Sequence, residues 1–266
     1  MNTRSEVSAG ASVSTASTGA FFKKELMESL KTPRLLILSF TFLLFGLLSP
    51  LTAKYINEII AGVGNLDLKL PDPTYLDAYV QFFKNMYSLN ILIVVMTFMG
   101  LVVDEKVKGT LLLTLTKGLS RTAFILGKFF SAVLVFTLSY LLAVGACLYY
   151  TYLLFPAFVN PGVLVAFLLF WIYGVLLTAL TLFCSTLAKS HTVAAVGSFV
   201  AFALIALTGT IPLVGVYLPG YFHSLGMEAV MGVAGAGKAL WPGAIALGFT
   251  GLVLALTLIN FRRQEL

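Results

Sequence analysis

Gly232, Gly237 and Lys238 stand at the spacing of the first seven positions of a phosphate-binding loop, where backbone amides cradle a phosphate and the lysine neutralises it. The eighth position fails. It is Ala239, which has no hydroxyl for magnesium, and Trp241 and Pro242 follow at once with no strand pattern before the match. The stretch therefore reads as a small-residue turn. Cys147 and Cys184 are embedded in apolar runs without partner spacing, so they read as buried hydrophobes and imply neither a disulfide nor a metal site. His191 and His223 read as polar turn residues, and no Ser-His-acid set or carboxylate pair assembles from the spacing. The residues thus point to no catalysis, no metal and no cofactor bound by this chain; if ATP drives it, another chain holds the ATP and magnesium.

What the sequence does concentrate is charge. Asp104, Glu105, Lys106, Lys108, Lys117, Arg121 and Lys128 are wedged between two apolar runs of hydrocarbon length. A charge at the bilayer centre costs about 2.5 kcal/mol or more, so this block is expected to be an aqueous loop, with the helix after it projecting out of the membrane as far as Lys128. Thr110 to Thr116 reads as a short helix with Lys117 in its last turn and Gly118 as its stop, and Ser120 caps the next helix. Gly109 allows a bend or a close backbone approach. Glu105 either serves a contact there or pairs with Lys106 or Lys108 in water, an exposed arrangement worth at most about 1 kcal/mol.

The elements that carry this block are apolar almost throughout. With 59% hydrophobic and 11% charged side chains, the 266 residues lie outside the range of soluble domains, where charged residues are about 25%. An all-α polytopic membrane protein is expected, with spans at Leu35–Ala53, Tyr87–Val103, Ala123–Phe155, Gly162–Ala188, Thr192–Leu207 and Trp241–Phe261. Residues 1–20, rich in Ser, Ala, Thr and Gly, read as a disordered cytosolic tail. Over 21–34, Phe22, Leu26, Met27 and Leu30 fall on one arc with Lys24, Glu25, Glu28 and Lys31 opposite, which fits a helix lying in the headgroup plane. Residues 54–86 read as an outer loop. Residues 208–240, broken by Pro212, Pro219 and many Gly yet apolar, read as an outer re-entrant or interfacial segment.

Six spans place all but four of the 17 Lys and Arg residues on one side, the four being Lys54, Lys69, Lys84 and Lys238. The positive-inside bias then puts both termini and the charged block, residues 104–122, in the cytosol. Because the net charge of +6 sits at the ends of apolar runs, it implies membrane orientation and lipid headgroups as partners, not nucleic acid. The spans themselves lack charge, which counts against an ion-coupled carrier or a charged pore. Thr97, Thr137, Tyr140, Tyr173 and Thr178 are the polar residues that could line a path, and ordinary helix packing uses the same types.

Asp104 and Glu105, then Gly109 and Thr110, then Leu119, Ser120, Arg121 and finally Lys128 resemble the cytoplasmic loop of type-2 ABC exporter permeases. Two positions depart from that pattern: Leu113, where many members have an acid, and Gly118, where Pro usually precedes Ser-Arg. The resemblance implies an interfacial helix before the first span and two short outer pieces before the last. It also implies a plasma-membrane subunit of a prokaryotic cell, assembled as two permeases, identical or paralogous, on two ATPase subunits. Asp104, Glu105, Lys108, Gly109, Thr110, Ser120, Arg121 and Lys128 become the candidates for coupling to the ATPase, with Phe22, Lys24, Leu26, Met27, Leu30 and Lys31 forming the interfacial helix. A six-span channel, carrier or assembly protein without an ATPase is the alternative that the residues leave open.

Overall fold

The computed structural model describes residues 19, 21–29, 31–64, 71–116 and 119–264. The tail expected over residues 1–20 falls almost wholly outside them, as do Leu30, Lys117 and Gly118. Among the described residues every regular element is helical, and six helices are long and apolar enough to cross a membrane: Pro33–Lys54, Tyr75–Val107, Arg121–Leu154, Pro161–Leu187, His191–Thr208 and Gly237–Arg263. The chain is a multi-pass, all-α membrane protein.

In chain order the elements are α1 (21–29), α2 (Pro33–Lys54), α3 (Ile56–Gly64) and α4 (Tyr75–Asn85). A π turn at Met86–Asn90 leads to α5 (Ile91–Phe98), and α6 (Val103–Val107) and α7 (Thr110–Thr116) come next. The rest is α8 (Arg121–Leu154), α9 (Pro161–Leu187), α10 (His191–Thr208), α11 (Phe222–Val230) and α12 (Ala236–Arg263).

Two boundaries differ from the sequence expectation, and each has a local cause. The second span was expected from Tyr87 after a loop over 54–86, whereas α3 and α4 occupy much of that loop and the spanning segment starts at Tyr75. Asp77, which suggests a loop by polarity, is half of a capping box: the Thr74 backbone N–H donates to its Oδ2 at 2.7 Å, and the Thr74 hydroxyl at 2.8 Å. The helix so started buries Tyr79, Phe82 and Phe83 completely. The sixth helix likewise begins at Ala236, before Trp241, with Pro242 inside it. Between α10 and α12 the chain makes two 3-10 turns, Gly215–Tyr217 and Pro219–Tyr221, and then α11, so the stretch between the last two spanning helices is shorter than expected. Lys238 stands exposed in the first turn of α12, and the element before Gly232 is a helix where a phosphate loop has a strand.

The bundle is built around α9, whose most apolar window is 72% buried and which packs on α5, α8, α10, α11 and α12. That demand explains its composition, since a helix enclosed on all sides cannot carry a polar face. α2 lies along α8, joined by a 2.9 Å hydrogen bond between the Ser39 and Ser139 hydroxyls. Phe42 from α2 meets Phe136, Tyr140 and Phe170 in one aromatic cluster. In contrast only 17% of the α10 window and 28% of those of α2 and α12 are buried, so these helices keep broad apolar faces outward.

Candidate functional site

The charged residues gather at one end of the bundle, where α1, α6, α7, the start of α8, the α9–α10 turn and the end of α12 meet. At its centre is Lys128, one turn and more inside α8 and only 6% exposed. It was expected in the aqueous phase. Instead its ammonium lies 2.9 Å from Glu25 of α1 and 2.5 Å from Glu105 of α6, so a charge that lipid would expel is held by two carboxylates. Glu105 therefore makes a partly buried pair with Lys128 in place of an exposed one with Lys106 or Lys108. Burial pushes the Glu25 carboxyl above its usual range, against the pull of the Lys128 ammonium.

α1 meets this pair with a different face from the one its polarity pattern suggests. Glu25, assigned to the polar arc, is buried one turn from Phe21, whose ring packs against Phe124. Phe22 rests on Phe130, Leu26 is half-buried, and Met27, Lys24 and Lys31 are exposed. A lysine in another helix thus outweighs local amphipathicity, because leaving Lys128 unpaired inside the protein costs more than turning Met27 outward.

Asp104 is the second node. Arg34 at the start of α2 donates to its Oδ2 at 2.6 Å, and His191 at the start of α10 places Nδ1 3.1 Å from its Oδ1. A Cβ on Gly100 would stand 2.5 Å from that same Oδ1, so glycine is needed one turn earlier for the carboxylate to fold back. Between α5 and α6 the chain leaves the α-helical ladder, and the backbone N–H groups of Val102 and Val103 both donate to the buried hydroxyl of Ser185 on α9, at 3.0 and 3.1 Å. Lys106 reaches the Thr186 carbonyl and the Gln264 side chain, tying α6 to the ends of α9 and α12.

Gly109 ends α6 with φ of +69°, and a Cβ there would meet nothing within 4 Å, so the glycine serves a left-handed turn and not a close approach. α7 then forms over the residues expected. Thr110 is exposed, as is Lys108; Leu111 packs inward, while Leu112 and Leu113 are exposed. Ser120 accepts from the Ala123 N–H at 3.1 Å, the N-cap read from the sequence. Arg121 donates to the carbonyls of Phe261, Arg262 and Gln264, closing the last carbonyls of α12.

The five polar residues considered for a path divide. Tyr140 donates to the Phe167 carbonyl, Trp171 donates to Thr137, Thr178 donates to the Gly174 carbonyl, and Tyr173 is buried against Tyr87 and Phe222. These four are packed inside the bundle. Thr97, whose hydroxyl also donates to the carbonyl one turn back, that of Ile93, at 2.7 Å, is the one of the five that opens on a lateral groove of about 530 Å³ between α2, α5 and α10, with Ile37, Thr41, Ile93 and Met96 on its walls and Asp104 and His191 at its charged end.

Residues 49–259 match the family model described as ABC-2 family transporter protein, a stretch that holds α6, α7, Lys128 and His191 and most of the six-span bundle, while Glu25, Arg34 and Gln264 of the charged junction lie outside it. The chain belongs to this family. It is also 28% identical over 140 residues to "Uncharacterized transmembrane protein YxlG" of Bacillus subtilis (strain 168), a match covering 51% of this chain and 54% of that one. The chain thus spans about half the length of that relative. Membership of a transporter family gives the charged junction a context that no catalytic constellation among the described residues supplies.

Glu25, Arg34, Ser185, His191 and Gln264 escaped the sequence reading as partners of the loop. They lie in five separate stretches of the chain, and nothing in linear spacing joins them.

Proposed function

We propose that the chain is the permease subunit of an ABC exporter, paired with a second permease copy or paralogue and resting on two separately encoded ATPase subunits that bind ATP and magnesium. The observation that carries this reading is the wiring of α6 and α7. Asp104, Glu105 and Lys106 tie α6 to α2, α8, α9, α10 and α12, and through Lys128 to Glu25 of α1, while α7, which packs on α6, turns Leu112 and Leu113 outward. A push on α7 is then felt by most of the spans at once. Beside α7 an open groove of about 490 Å³, walled by Val107, Leu111, Leu112 and Leu187 and edged by Lys106 and Lys189, gives the ATPase a mixed apolar and basic seat. In this reading the charged end faces the cytosol, as the lysine and arginine distribution requires. The lateral groove holding Thr97 is the entry to the substrate path, and α1 lies at the headgroups with Met27, Lys24 and Lys31 outward.

Substrate efflux per ATP hydrolysed, measured in vesicles carrying both subunits, tests the coupling role. Glu105→Ala and Gly109→Leu are expected to leave the permease in the membrane and lower that ratio. A wild-type ratio with wild-type subunit affinity in both variants would make the loop a mere connection. The permease purified alone is expected to hydrolyse no ATP.

A further inference from the structure

The second span does not run as one helix. At Met86–Asn90 it makes a π turn, in which the Ile91 N–H reaches back five residues to the Met86 carbonyl. Such a turn adds one residue to an α-helix and rotates the downstream segment by about 100°. The burial pattern registers the rotation. Tyr79, Phe82, Phe83 and Met86 form the buried stripe of the outer half, and on an uninterrupted α-helix that stripe would continue through Ile93 and Thr97. The inner half instead buries Ile91, Val94, Val95 and Phe98, and it turns Ile93 and Thr97 into the lateral groove.

The turn also leaves hydrogen bonds unmade. Among the described residues the buried side-chain atoms without a partner are Glu25 Oε1, the Tyr87 hydroxyl and Asn90 Oδ1, and two of these three belong to this turn. The Asn90 amide donates only to the Met86 sulfur, at 3.2 Å. Buried polar groups are ordinarily paired, so this register forgoes stabilisation that the same residues could gain in another. Each side of the turn is fixed to other helices. Outward, the Tyr87 ring lies against Phe170 and Tyr173 of α9 and His223 of α11. Inward, α5 runs through the Ser185-held break into Asp104, Glu105 and Lys106.

We propose that the π turn at Met86–Asn90 is a register switch: its relaxation to an α turn rotates α5 so that Thr97 and Ile93 leave the groove and Val95 enters it. The switch rests on the permease reading for what drives it, since force on α6 and α7 reaches α5 directly. The α5 side of the groove would then change from one carrying a hydroxyl to one without it, in step with the ATPase cycle.

Single cysteines at Thr97 and at Val95, in a background lacking Cys147 and Cys184, report the register through their rate of maleimide labelling in lipid nanodiscs. With the present register Thr97→Cys reacts and Val95→Cys is protected. Deleting the exposed Leu89 removes the one residue that the π turn accommodates, so the helix closes as an α turn with Thr97 still in the groove; this variant is expected to be locked in the present register. Locking the partner ATPase with a non-hydrolysable ATP analogue is expected to reverse the two rates at least several-fold in the otherwise intact single-cysteine chains and to leave the deletion variants unchanged. Asn90→Leu, which removes the orphaned amide, should hold the present register and blunt the nucleotide effect. Slow labelling of Val95→Cys in the chain alone that the deletion abolishes, without response to a nucleotide-bound partner, would keep the switch and sink the permease reading. Val95→Cys labelling that the deletion leaves unchanged, together with rates that do not move in a complex that hydrolyses ATP, would overturn the switch itself.

Discussion

Lys128 shows how one side chain can organise several helices. Its ammonium satisfies Glu25 and Glu105 together, and removing it would leave two carboxylates facing each other in a nearly closed space. Lys128→Met should therefore destabilise the protein by about 3–5 kcal/mol, read as a fall in thermal midpoint in detergent, with Lys128→Arg much closer to wild type. A loss below about 1 kcal/mol would show that the pairing is solvated and weak. Ser185 acts by the opposite means, as an acceptor for two backbone donors. Ser185→Ala strands the Val102 and Val103 N–H groups, and each stranded donor costs about 1–3 kcal/mol. Hydrogen exchange at those two amides should rise while the rest of α5 stays protected.

Among the elements, α7 divides its faces sharply. Leu111 anchors it, and Leu112 and Leu113 project from it at 50% and 65% exposure. Leu113→Glu should leave the stability of the permease within about 0.5 kcal/mol of wild type, since an exposed surface position contributes little to folding. If α7 seats the ATPase, the same change lowers affinity for that subunit by roughly tenfold or more, the loss of about 1.4 kcal/mol expected when a charge replaces an apolar contact, measurable by titration of the ATPase onto permease nanodiscs. Unchanged affinity would place the seat elsewhere. The short helix and the Ser120 cap of α8 were legible in the sequence because helix-forming runs and capping are local. The seat for α1 was not, because amphipathicity ranks its faces by polarity alone and takes no account of a lysine held in α8.

For the molecule as a whole, the sidedness of the six spans is the property that every mechanistic statement depends on. Asp72→Cys, on the exposed turn before α4, should react with an impermeant maleimide on intact cells, and Lys108→Cys only after permeabilisation. Reversed labelling would invert the bundle and place the charged junction outside. The sequence by itself determined the number of spans, since hydrocarbon length and charge exclusion are properties of a linear run. It also supplied the existence of a folded charged block. Only the tertiary structure decided where that block is fastened, because Arg34, His191, Ser185 and Gln264 become neighbours of Asp104 to Lys106 through packing around α9 and share no spacing along the chain. It decided as well that Tyr140, Tyr173 and Thr178 are spent on internal contacts while Thr97 faces a groove. Polarity along a helix says which residues could serve a path; the rotation of that helix, here set by a single π turn, says which of them face a groove.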